Sequence, residues 1–86
     1  MPPITIYTTS SCPYCQAAKT LLRRKHATYQ EIDVTGDPVT RAEMVRKSGG
    51  AYKVPQIWIG ATHVGGSEDL HALEAAGGLD PLLAGT

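Results

Sequence analysis

Hydrophobic and polar positions alternate at Ile4-Thr5-Ile6-Tyr7-Thr8, a β-branched run that predicts a first strand. After the polar Thr9-Ser10-Ser11 the period changes. Ala17, Ala18, Leu21 and Leu22 recur at helical spacing, with Gln16, Lys19, Arg23 and Arg24 mainly on the other face. This predicts an amphipathic helix opening at Pro13, whose missing N–H needs no partner in a first turn, and fading near His26. Residues 28–34 predict a second strand. Asp37 and Pro38 suit the N-cap and first position of a second helix, which runs to about Ser48 with Val39, Ala42, Met44 and Val45 as an imperfect apolar face. Gln56-Ile57-Trp58-Ile59 predicts a third strand, turning at Gly60-Ala61 into Thr62-His63-Val64 as a hairpin. Ser67 is the expected N-cap of a third helix through Leu70, Leu73 and Ala76, and residues 79–83 add a last helical turn.

The order βα, βα, ββ, α predicts an α/β domain over residues 1–86, a four-stranded mixed sheet flanked by three helices. No apolar run approaches the ~18–20 residues of a membrane span, and the N-terminus has no signal-peptide pattern. The expectation is a soluble cytoplasmic protein. Eight Lys and Arg balance eight Asp and Glu, which argues against a nucleic-acid binder. That balance hides an asymmetry. Up to Lys53 there are eight basic and four acidic residues, a formal +4. Beyond it Glu68, Asp69, Glu74 and Asp80 stand against no Lys or Arg, a formal −4.

The two cysteines sit in Cys12-Pro13-Tyr14-Cys15. A disulfide between them closes too short a loop to staple a fold, so the pair is redox-active, metal-binding or incidental. A zinc site needs further ligands, and His26, His63 and His71 lack the paired spacing of one, so no metal is expected. Position favours redox chemistry. Cys12 falls between the first strand and the first helix, where unpaired N–H groups and the helix dipole favour S⁻ over SH. Cys15, at i+3, lies on the same face and is expected to be more buried and harder to ionise. Cys12 therefore attacks and Cys15 resolves.

Cys12-Pro13-Tyr14-Cys15 after an Ile-Tyr-Thr strand resembles the active site of the dithiol glutaredoxins. So do Val54-Pro55 before the third strand, Gly65-Gly66-Ser67-Glu68-Asp69-Leu70, and the Gly77-Gly78-Leu79-Asp80-Pro81 tail of the short bacterial members. The resemblance implies a thioredoxin-like fold and a cis Val54-Pro55 bond. It implies thiol–disulfide exchange with glutathione as co-substrate and no tightly bound cofactor. Val54 and Pro55 then take the cysteinyl backbone of glutathione, Gly66, Ser67 and Glu68 its γ-glutamyl carboxylate, and Asp69 its amino group, with Tyr14 packing along the ligand. The implied partners are glutathione and glutathionylated or disulfide-containing proteins, ribonucleotide reductase among the candidates, met as a monomer.

The sequence departs from the family pattern where a lysine three residues before the nucleophile is replaced by Thr9. Lys53 stands where threonine is common and is expected to supply that charge from the opposite wall. The 48–52 loop is also about a residue longer, and Ser67 replaces the extra cysteine of some members. Two alternatives remain: a thioredoxin-type carrier, against which the 65–69 segment argues, and a cluster-binding module ligated by Cys12 and glutathione, against which Pro13 argues.

Overall fold

The computed structural model describes residues 1–85. Strand β1 (Ile4–Thr8) leads into helix α1 (Pro13–Arg24), then β2 (Gln30–Asp33), α2 (Pro38–Lys47), the strands β3 (Gln56–Ile59) and β4 (Thr62–Gly65), α3 (Ser67–Ala75) and a short α4 (Leu79–Leu83). The four strands form one sheet in the order β2-β1-β3-β4. β1 and β2 are parallel, from Thr5 opposite Gln30 to Thr8 opposite Asp33. β1 pairs antiparallel with β3, and β3 with β4. The thioredoxin-like mixed sheet expected from the chain is therefore present, with a fourth short helix where a single turn was expected.

Strand alternation sorts the core into two layers. Ile4, Ile6, Ile57 and Ile59 point to one face, where Ala18, Leu21 and Leu22 of α1, Leu70 of α3 and Leu79 and Leu83 of α4 cover them. Tyr7 and Trp58 point to the other, against Val34 and Met44. Met44 is the only fully covered side chain of α2, so the apolar contact of that helix with the core rests on one anchor with Val45 beside it.

Several faces differ from expectation. Ala17 is exposed, and α1 turns Cys15, Ala18, Leu21 and Leu22 inward instead. Those residues follow the i, i+3, i+7 stripe, and alanine is small enough to stand in water at little cost. Val39 is 71% exposed and Ala42 is also exposed. Ala76 lies at the exposed C-cap of α3. β2 is shorter than residues 28–34 because its pairing with β1 begins only at Gln30. Past its end, the Val34 N–H still donates to the Thr8 carbonyl at 2.8 Å. The N-cap of α3 is Gly66, not Ser67. The Asp69 carboxylate reaches back to the Gly66 N–H at 2.9 Å, which leaves Ser67 inside the first turn and buried.

Candidate active site

Cys12 ends the loop after β1 and is the N-cap of α1, with extended backbone (φ −124°, ψ 103°). Pro13 takes N1 and has no N–H, and the amide that reaches back is that of Cys15, at N3. That N–H donates to the Cys12 sulfur at 3.1 Å. The sulfur thus receives the hydrogen bond that a serine or aspartate oxygen receives at an ordinary N-cap, and negative charge there is favoured by the helix dipole. Cys12 is half-buried and Cys15 buried, both as free thiols.

Burial pushes the Cys15 thiol up from its ordinary 9.0 to about 12. Its hydrogen bond to the Cys12 sulfur and the Cys12 charge add to the rise. The Thr9 backbone and the Lys19 charge oppose it. The two thiols are therefore chemically unequal: one stands half-buried at a helix N-terminus, the other is buried and held protonated. Lys19, one turn beyond Cys15, pairs with Glu31 at 3.0 Å, and Glu31 also accepts the buried Thr8 hydroxyl at 2.7 Å. The Thr8 hydroxyl first, and then Lys19, hold the Glu31 carboxyl below its usual range.

Beside Cys12 lies a groove of about 340 Å³. One wall is Lys53-Val54-Pro55, with a cis bond between Val54 and Pro55. The opposite wall is Gly66, Ser67, Glu68 and Asp69, and Tyr14, 70% exposed, stands at its edge. The structure brings these eight sequence-predicted residues around one cavity. Cys12 adjoins it through Val54, whose carbonyl oxygen lies 3.8 Å from the sulfur. At the far wall the first helical bond of α3 runs from the Leu70 N–H to the Gly66 carbonyl at 3.0 Å. The earlier N–H groups at Ser67 and Glu68 thus have no acceptor within the helix, an arrangement that suits an anion. One Asp69 oxygen caps Gly66, and the carboxylate keeps acceptor capacity for a cation. Among the described residues, no group of three His, Cys, Asp or Glu side chains is placed to hold a metal ion, and no helix is long and apolar enough to cross a membrane.

Sequence reasoning missed the residues that hold the Lys53 wall in place. Arg41 of α2 donates twice to the Tyr52 carbonyl, at 3.3 and 2.9 Å from Nε and Nη2. Gln56 donates from Nε2 to the Lys53 carbonyl at 2.9 Å. An arginine one turn into a helix carries no sign that it will meet a loop eleven residues on. Only Gln56, a polar residue opening an otherwise apolar strand, was a signal in the sequence.

The glutaredoxin family model matches residues 4–64. The chain belongs to the glutaredoxin family. It is 62% identical over 84 residues to a glutaredoxin of Pseudomonas aeruginosa, covering 98% of this chain and 99% of that one. Among solved structures, the glutaredoxin of Brucella melitensis is 53% identical with a TM-score of 0.84, covering 96% of this chain and 89% of that chain. A buckwheat glutaredoxin solved in complex with glutathione is 27% identical with a TM-score of 0.88, covering 96% of this chain and 77% of that chain. As a glutaredoxin the protein is a thiol–disulfide oxidoreductase, and its Cys12-Pro13-Tyr14-Cys15 segment is of the dithiol type.

Proposed function

We propose that this glutaredoxin reduces protein–glutathione mixed disulfides and protein disulfides at the expense of glutathione, as a cytoplasmic monomer whose 86 residues form one domain. The observation that carries this reading is the groove. Its two walls offer complementary groups to a tripeptide with two carboxylates and one ammonium, and its edge at Val54 adjoins the Cys12 sulfur. In this reading Val54 pairs with the cysteinyl backbone in the manner of an added strand. The Ser67 and Glu68 amides take the γ-glutamyl carboxylate and Asp69 the ammonium group. Lys53 takes the glycine carboxylate, and Tyr14 flanks the ligand. The glutathione bound by the buckwheat relative, which has the same fold, supports the reading.

In the one-cysteine route the Cys12 thiolate attacks the glutathione sulfur of a mixed disulfide. A Cys12–glutathione bond forms as the protein–glutathione bond breaks, and the departing protein thiolate takes up a proton. The thiolate of a second glutathione then attacks the glutathione sulfur on Cys12, releasing glutathione disulfide and restoring the Cys12 thiolate. In the two-cysteine route Cys12 attacks a protein disulfide. Cys15 gives up its proton and attacks the Cys12 sulfur, and the second protein thiol leaves. The resulting Cys12–Cys15 disulfide is reduced by two glutathiones. Ribonucleotide reductase is one disulfide client to assay.

The test is turnover of a glutathione–mixed disulfide coupled to glutathione reductase and NADPH. Cys12→Ser abolishes turnover of both substrate types. Cys15→Ser keeps deglutathionylation and loses protein-disulfide reduction. Equal loss in the two variants contradicts the assignment of roles, and absence of glutathione-dependent turnover in the wild type contradicts the glutathione reading itself.

A further inference from the structure

Behind the Lys53 wall runs a hydrogen-bonded chain that neither exchange route uses. Gln56, the first residue of β3, is 5% exposed, and both ends of its amide are engaged. Nε2 donates to the Lys53 carbonyl at 2.9 Å, and Oε1 lies 2.7 Å from Nε2 of His63. A backbone carbonyl can only accept, so the amide nitrogen must face Lys53. Oε1 is then turned to His63, whose ring must carry a proton on Nε2 to meet it. The ring is held in that orientation by stacking on Trp58, its cross-strand partner, with centroids 4.6 Å apart and planes 28° apart. The chain thus leads from an exposed imidazole, through a buried amide, to the carbonyl of Lys53. The next residue, Val54, presents its own carbonyl 3.8 Å from the Cys12 sulfur.

We propose that His63 is a positioning residue of this glutaredoxin. Through Gln56 it fixes the backbone of Lys53 and Val54 and so sets the affinity of the groove for the glutathione moiety. The inference rests on the glutathione reading of the groove. Physically, a buried amide with one end unsatisfied seeks a new partner. Without the His63 donor, the Gln56 amide turns to satisfy Oε1, and the Lys53 carbonyl loses its own donor. The turn from Lys53 to Gln56 is then held only through its neighbours, among them the Arg41 bonds to Tyr52. His63 touches no reacting atom, and its effect falls on ligand binding rather than on the chemical step.

Two variants separate positioning from packing. His63→Leu leaves apolar cover over Trp58 but no donor, whereas His63→Gln restores an N–H donor toward Gln56. In the coupled assay, His63→Leu is expected to raise KM for a glutathionylated peptide about three- to tenfold with kcat within about twofold, and His63→Gln to bring KM back to within about twofold of wild type. In ¹H–¹⁵N spectra the Lys53 and Val54 amide signals should move in His63→Leu and return in His63→Gln, and the wild-type imidazole should show the Nε2–H tautomer. An unchanged KM in His63→Leu, or Lys53 and Val54 signals that stay in place, overturns the proposal. So does equal loss of affinity and of Tm in both variants, which identifies packing alone. A wild-type protein that does not turn over the glutathione substrate defeats the glutathione reading instead, a result independent of the amide shifts.

Discussion

The unequal surroundings of Cys12 and Cys15 make the two exchange routes differ in their response to pH. Cys15 is held up at about 12 first by burial and then by the sulfur and charge of Cys12. When Cys12 is locked in a mixed disulfide its charge is gone, so that part of the rise is relieved when Cys15 is needed, while burial persists. At neutral pH Cys15 remains mostly protonated, and below its pKa the thiolate fraction grows tenfold per pH unit. The expected outcome is a resolving rate that climbs through pH 6–8.5, by up to about tenfold per unit. It can be measured as the release of a chromogenic thiol from a mixed disulfide on Cys12. Under single-turnover conditions without glutathione, Cys15→Ser should show no release. A flat profile contradicts the burial argument. The inequality of the thiols was readable from helix position alone, since Cys15 lies one turn inside on the buried stripe. The Thr8–Glu31–Lys19 bonds beneath it were not, because they join strand, strand and helix across the fold.

At the scale of elements, the β4–α3 junction makes the wall of the groove proposed to take the γ-glutamyl carboxylate, and it depends on one glycine. Gly65 closes β4 with φ +113°, a conformation side chains rarely adopt, and a Cβ there would collide with the Asp69 carboxylate that caps Gly66. Gly65→Ala therefore strains the backbone and displaces the cap together. A loss of about 1–3 kcal/mol in urea unfolding is expected. A rise in KM for glutathione is expected to accompany it, because the Ser67 and Glu68 amides tilt with the first turn. A stable variant with unchanged KM removes the junction from the binding argument. Punctuation made the elements legible: Pro13, Asp37-Pro38, Gly60 and the Gly65-Gly66 pair all fall at element boundaries. The inward faces were less legible. Ala17, Val39 and Ala42 fit an apolar stripe by spacing but stand in water, because small or single side chains do not fix the roll of a helix. The expected Ser67 cap failed for a similar reason. Any of three consecutive residues could cap, and the Asp69 carboxylate decides in favour of Gly66.

Across the whole molecule, the +4 and −4 segments of the sequence are tied together in part by internal pairing. Lys25 bridges Glu74 at 2.7 Å and Asp80 at 2.9 Å, tying the end of α1 to α3 and α4. Lys19 takes Glu31, Arg23 the Tyr29 hydroxyl, Arg41 the Tyr52 carbonyl, and Lys47 the Tyr7 hydroxyl while lying over the Trp58 ring. What the fold leaves facing the groove is Lys53 on one wall and Glu68 with Asp69 on the other. Part of the charge split in the sequence is thus carried into the polarity of this cavity. Its direction suits a ligand whose carboxylates and ammonium lie at known ends. Lys53 is exposed, so its contribution to an ion pair is modest, about 0.5–1 kcal/mol at low salt. Lys53→Ala should then raise KM for glutathione about two- to fivefold at low ionic strength, with kcat little changed. Because exposed charges are screened over about 8 Å at physiological salt and about 3 Å at 1 M, the gap between variant and wild type should narrow as salt is added. Steady-state kinetics at two salt concentrations make the measurement. An unchanged KM at low salt makes Lys53 a solvated loop charge and leaves the glycine carboxylate to another partner. A salt-independent rise points instead to a Lys53 side chain that acts by shaping the wall, the role the structure gives to its carbonyl through Gln56.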